Sequence, residues 1–118
     1  MLTRMQYNIL QANGVAIKAL LVQMQSEEEL FSSPNTLQSV ESCLLVFAQT
    51  LANLPEPLSR RLIEVDWHGW GCLQQRLELD VQPRRDEVWY GVQALVPVTL
   101  ELIEKLRKQE PVWFELGY

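Results

Sequence analysis

Five apolar residues, Leu37, Val40, Leu44, Phe47 and Leu51, recur at spacings of three, four, three and four along the middle of the chain. That rhythm places all five on one stripe of an α-helix. It is the seam of a helix that packs against other helices. The seam is only about two heptads long, which excludes a long coiled coil and favours a compact bundle. Ser33 stands ready as N-cap with Pro34 at the first helical position. Leu54-Pro55-Glu56-Pro57 ends the helix, because proline disfavours helical geometry in the residue before it.

Other helices follow from the same signals. Leu2 to Met24 shows Leu2, Met5, Ile9, Ala16, Leu20 and Met24 at mostly helical spacings, interrupted by Asn13-Gly14. Glycine costs about 1 kcal/mol relative to alanine inside a helix, so tertiary packing must override local preference there. Ser26 and Glu29 form a capping box that starts a short helix ending near Ser32. A short helix is expected from about Pro57 to Ile63, and another from Trp67 to Leu79, weakened at its start by Gly69 and Gly71. Asp86 or Glu87 opens the last long helix, which runs to about Lys108. Pro97 lies inside it and should kink it. No alternating strand pattern appears. The expected fold is all-α, an up-and-down bundle of four to five helices over residues 1–109. The tail, residues 110–118, is rich in aromatic residues and can either dock on its own domain or face a partner.

Composition narrows the function. The chain has 118 residues, which suits one domain. Its net charge of −5 offers no global footprint for nucleic acid. A local basic patch is left open at Arg60-Arg61 and at Arg84-Arg85, against a reading as solvated charges. Cys43 and Cys72 show no metal-ligand spacing, and no carboxylates cluster with the single His68 to complete a zinc site. No apolar run approaches the roughly 20 residues of a membrane span. No signal peptide is evident, and the expected setting is cytoplasmic with reduced thiols.

Several ordered pieces carry a resemblance. They are Glu29-Leu30-Phe31-Ser32-Ser33-Pro34-Asn35-Thr36-Leu37-Gln38-Ser39-Val40-Glu41, then Leu54-Pro55-Glu56-Pro57-Leu58, Val65-Asp66-Trp67, Glu87-Val88-Trp89, and Leu95-Val96-Pro97 in the final helix. From about Ile9 to Leu106 the chain resembles the HepT-like family of HEPN proteins, the toxin half of two-gene HEPN/MNT toxin–antitoxin modules. The resemblance implies an all-α homodimer and a metal-independent ribonuclease. Its chemistry would rest on an Arg, then four to six intervening residues, then a His, with a Tyr two residues after the His. It also implies a minimal nucleotidyltransferase as antitoxin partner.

Counted from Trp67, those three positions hold Gln74, Leu79 and Val81. No histidine follows His68, so no shift of register restores the set. The family's Gly-Glu-Ala on the seam helix is Ala48-Gln49-Thr50 here. RNA cleavage needs an acid or base near neutral pH and a cation for the phosphate. The resembled positions supply neither. Weak substitutes are Arg61 and His68, with six residues between them, and Arg76 on the helix where the motif should stand. Arg76 and Glu78 point to different helix faces. Glu101 and Glu104 share a face but read as surface charge. Cys72 reads as a small buried residue with no activating histidine. Trp67, Trp70, Trp89 and Trp113 are candidate dimer or partner contacts, with core packing as the alternative for the first three. The expected function is binding by a catalytically degenerate HEPN-like homodimer, with no cofactor or metal. An active ribonuclease with a relocated site and an unrelated helical scaffold are the alternatives.

Overall fold

In a computed structural model, residues 2–115 are described, with side chains from Thr3 to Phe114. They form helices and no strand. The elements are α1 (Leu2–Leu21), α2 (Glu27–Phe31), α3 (Pro34–Ala52), α4 (Glu56–Arg61), α5 (Trp67–Glu78), α6 (Arg85–Tyr90), a π turn (Gly91–Leu95), α7 (Val96–Gln109) and α8 (Val112–Glu115).

The seam helix is α3. Val40, Leu44 and Phe47 have no exposed surface and Leu51 has 2 %. The helix packs on α1, on α5 and on the short α2. Pro34 opens it, but the Ser33 hydroxyl does not cap it. That hydroxyl donates instead to the Glu29 carbonyl of α2, at 2.8 Å. The capping box of α2 is present: the Glu29 N–H donates to Ser26 Oγ at 3.2 Å. The Glu29 carboxylate reaches one residue further back than the simple pattern, accepting from the Gln25 N–H at 2.9 Å.

Helix α1 forms where expected but turns a different face inward. Leu10 and Ile17 are buried together with Thr3 and Gln6. Met5 is 56 % exposed and Ile9 39 %. Apolar spacing alone chose the wrong stripe because two buried positions are polar. Gln6 is retained there because its Nε2 donates to the Asn53 carbonyl at the C-terminal end of α3, at 2.8 Å. Carbonyls at a helix C-terminus lack an intrahelical partner and must find another donor. The helix continues through Asn13-Gly14 without a break. A Cβ on Gly14 would lie 2.5 Å from Leu100 Cδ1, so the missing side chain lets α1 and α7 approach closely.

The expected kink at Pro97 takes a specific form. Proline lacks an N–H, and in a regular α-helix its ring crowds the carbonyl four residues back. Here the ladder shifts register immediately before it. The Val96 N–H donates to the Gly91 carbonyl, five residues back, which closes a π turn. The turn brings Gly91 against the core. A Cβ at this position would meet Leu73 Cδ2 at 2.9 Å and Leu44 Cδ2 at 3.2 Å, and both leucines are fully buried.

The tail docks on its own domain as far as it is described. Phe114 is buried, with its ring 5.3 Å from that of Tyr7 on α1. Leu116, Gly117 and Tyr118 lie outside the described residues.

Gly91→Ala should therefore destabilise the fold. Overpacking a tight core costs typically about 1–3 kcal/mol, and the helix-propensity gain of about 1 kcal/mol offsets only part of it. Thermal unfolding followed by circular dichroism should show a midpoint lowered by several degrees; an unchanged or raised midpoint would mean that the leucines yield freely.

Candidate functional site

Helix α5 carries Trp67, His68, Trp70, Cys72, Gln74 and Arg76. Its start is set by Asp66, whose Oδ1 accepts from the Gly69 N–H at 2.8 Å. The other oxygen, Oδ2, accepts from the Tyr90 hydroxyl at 2.6 Å. These bonds, the one from Tyr90 foremost, hold the Asp66 carboxyl below the usual carboxylate range. Its far end closes in a Schellman arrangement. The Val81 N–H donates to the Arg76 carbonyl and the Asp80 N–H to the Leu77 carbonyl, with Asp80 at φ 52°.

Trp70 belongs to the core. It is 2 % exposed, stacked on Phe47 at 4.8 Å, and its Nε1–H donates to Thr99 Oγ1 at 2.9 Å. This corrects its candidacy as a dimer or partner contact, since a partner has no access to it. Trp67 is half-buried against the core and donates to the Leu62 carbonyl at 3.0 Å. Trp89 is half-buried edge-on to Phe31 at 6.4 Å. Trp113, on α8, is half-buried against the core and donates to Glu110 at 3.1 Å. The indole N–H groups of Trp67, Trp70 and Trp113 are all bonded within the chain.

Two of the positions altered relative to the resembled family converge. Gln49 on α3 and Gln74 on α5 both donate to Glu78 Oε2, at 3.0 and 3.2 Å. The same two bonds hold the Glu78 carboxyl below its usual range. Beside this amide–carboxylate cluster, Leu79 is 65 % exposed and Val81 39 %. The three positions to which the resemblance would assign a cationic, titrating set hold an amide and two exposed apolar side chains, and Arg76 on the same stretch of α5 is paired with Glu87.

The substitute residues are not assembled into a site. Arg61 is paired with Glu110. Arg76 donates to the Pro83 carbonyl at 2.8 Å and pairs with Glu87 at 3.4 Å. His68 and Arg76 are eight residues apart on one helix, about 12 Å along its axis. No hydrogen bond links Arg61, His68 and Arg76 among the described residues.

The basic pairs are likewise occupied. Arg60 pairs with Glu56. Arg84 meets both oxygens of Glu41 at 2.9 and 3.1 Å, and also Asp80 at 2.6 Å. Arg85 bridges Glu27 and Glu28, each at 2.8 Å, with its guanidinium over the Phe31 ring. Every guanidinium left open as a basic patch has an acidic partner. Hydrogen bonding to Glu41 drives the Arg84 pKa strongly upward.

Two features were missed. His68 Nε2 lies 3.6 Å from Cys72 Sγ, one helical turn away. This corrects the reading of Cys72 as lacking a neighbouring histidine; the spacing of four was visible in the sequence. The second is an open groove of about 810 Å³ between α1 and α7, floored by Ile17, Leu21, Val92, Val96 and Leu100. Lys18 stands on its α1 wall, with Glu101 and Glu104 on the other. Gly14 was the available signal, since a glycine that persists inside a helix marks a close approach.

Among the described residues no three His, Cys, Asp or Glu side chains are grouped to hold a metal. None of the described helices is long and apolar enough to cross a membrane. Compared with family models, with curated proteins and with solved structures, the chain gives no match.

Two variants check this anatomy. Thr99→Val strands the buried Trp70 N–H, which should cost about 1–3 kcal/mol in urea unfolding; a loss below about 0.5 kcal/mol would deny that bond its role. Asp66→Ala removes the α5 cap and should cost roughly 1 kcal/mol near neutral pH. The lowered carboxyl contributes stability above the ordinary carboxylate range, and that contribution fades as pH falls through its folded-state value. The difference from wild type should therefore shrink below about pH 4, and a pH-independent difference would contradict the assignment.

Proposed function

We propose that this chain acts by binding rather than by catalysis, as a degenerate HepT-like HEPN protein that forms a homodimer. The proposal includes an up-and-down HEPN topology and a cytoplasmic setting. It also includes a minimal nucleotidyltransferase as partner, with origin in a toxin–antitoxin pair.

One observation carries the reading. Gln74 and Gln49 are spent on Glu78, and Leu79 and Val81 stand exposed beside them. Amides do not titrate, and two apolar side chains offer neither a proton nor a cation to a phosphodiester. Exposed aliphatic groups beside neutralised polar ones suit the contact surface of a partner. Self-pairing of Arg60, Arg61, Arg84 and Arg85 further weakens any attraction for RNA. Dispersal of Arg61, His68 and Arg76 disfavours a relocated ribonuclease site.

Purified protein incubated with single-stranded RNA should leave it intact, and light scattering at micromolar concentration should report a dimer. RNA cleavage that disappears in His68→Ala would overturn the loss of chemistry. A monomeric mass would overturn the homodimer.

A further inference from the structure

The exposed His68 and the half-buried Cys72 sit one turn apart on the same side of α5, outside the Gln74–Glu78 region, and nothing in the proposed function uses them. Their ligand atoms are 3.6 Å apart. A tetrahedral zinc ion holds a thiolate at about 2.3 Å and an imidazole nitrogen at about 2.0–2.1 Å, which sets the two ligand atoms about 3.5–3.6 Å apart. The pair therefore already spans one edge of that tetrahedron. From this geometry we infer that His68 and Cys72 form half of a site for a zinc-class divalent cation, completed by the same pair from a second copy of this chain.

Each chain supplies two ligands, and the described residues bring no third candidate to the pair. The nearest carboxylate in sequence, Asp66, has one oxygen bonded to the Gly69 N–H and the other to the Tyr90 hydroxyl. A closed structural zinc site takes four protein ligands. Two copies related by a two-fold axis supply two sulfurs and two nitrogens, and an isologous contact places identical groups opposite each other.

The surface admits this approach. Gly71 and Gln75 flank the pair along α5, both exposed and uncharged. A Cβ built on Gly71 meets nothing within 4 Å, so a second helix can come close there. Binding replaces the S–H proton of each Cys72 with the metal and releases it to solvent; each His68 coordinates as the neutral imidazole. No electron is transferred.

The inference rests on the homodimer reading only for its second pair of ligands, so metal and mass are measured separately. Cobalt(II) is titrated into the full chain with a non-thiol reductant, followed by the cobalt–thiolate charge-transfer band and the visible bands of tetrahedral cobalt. The expected result is saturation at one cobalt per two chains, with zinc displacing it and with a dimeric mass in light scattering. His68→Ala and Cys72→Ser should each abolish the band, whereas Cys43→Ser should retain it. Absence of a thiolate band at millimolar cobalt overturns the inference, as does one cobalt per monomer. A metal-free dimer without the band overturns the metal site while leaving the homodimer intact.

Discussion

The fold depends on taking the α3 stripe out of water. Phe47 is the largest side chain on it and lies flat against Trp70 of α5, with ring centroids 4.8 Å apart. Full burial of such a side chain contributes about 1.5–3 kcal/mol, and an aromatic pair adds roughly 0.5–1.5 kcal/mol. That contact ties α5 to α3. It also fixes where the indole N–H points, and Thr99 on α7 must meet it. Three long helices are thus joined through one ring. Burial of the hydrophobic stripe drives association, and the hydrogen bond sets the rotation of α7 about its own axis.

The same constraint explains the irregularities. The segment that leads through the π turn into α7 must pass close to both Leu44 and Leu73, which Gly91 allows. It must also accommodate Pro97, and the π turn does so without ending the helix. A proline that would break an isolated helix is tolerated because the residues around it, Val92, Leu95, Val96, Thr99 and Ile103, are buried, and helical stability in a protein comes mostly from such tertiary packing.

The candidate site inherits its character from this frame. Because α5 is anchored by Trp70, its outward face is fixed, and that face carries His68, Cys72 and Gln75. Its far end carries Gln74, Glu78 and Leu79, next to Gln49 of α3. Trp67 and Trp70 serve chiefly to hold the helix in place. Contact chemistry falls to smaller residues around them.

Much of this was legible in the sequence. The spacing of Leu37 to Leu51 specified α3, the Ser26–Glu29 box specified α2, and Pro55 ended α3, because these signals act within a few residues of chain. The four-residue step from His68 to Cys72 also suffices to place both on one helix face. Other features depend on contacts between distant segments. The inward face of α1 includes Thr3 and Gln6, and only the orphan carbonyl of Asn53, 47 residues beyond Gln6, gives that glutamine a reason to be buried. The convergence of Gln49 and Gln74 on Glu78 likewise needs α3 and α5 side by side. The stretch from Glu64 to Trp89 determined by itself which residue types were on offer. Tertiary structure alone decided that Trp70 would vanish into the core, since the partners that enclose it, Phe47 and Thr99, lie 23 residues before it and 29 after it.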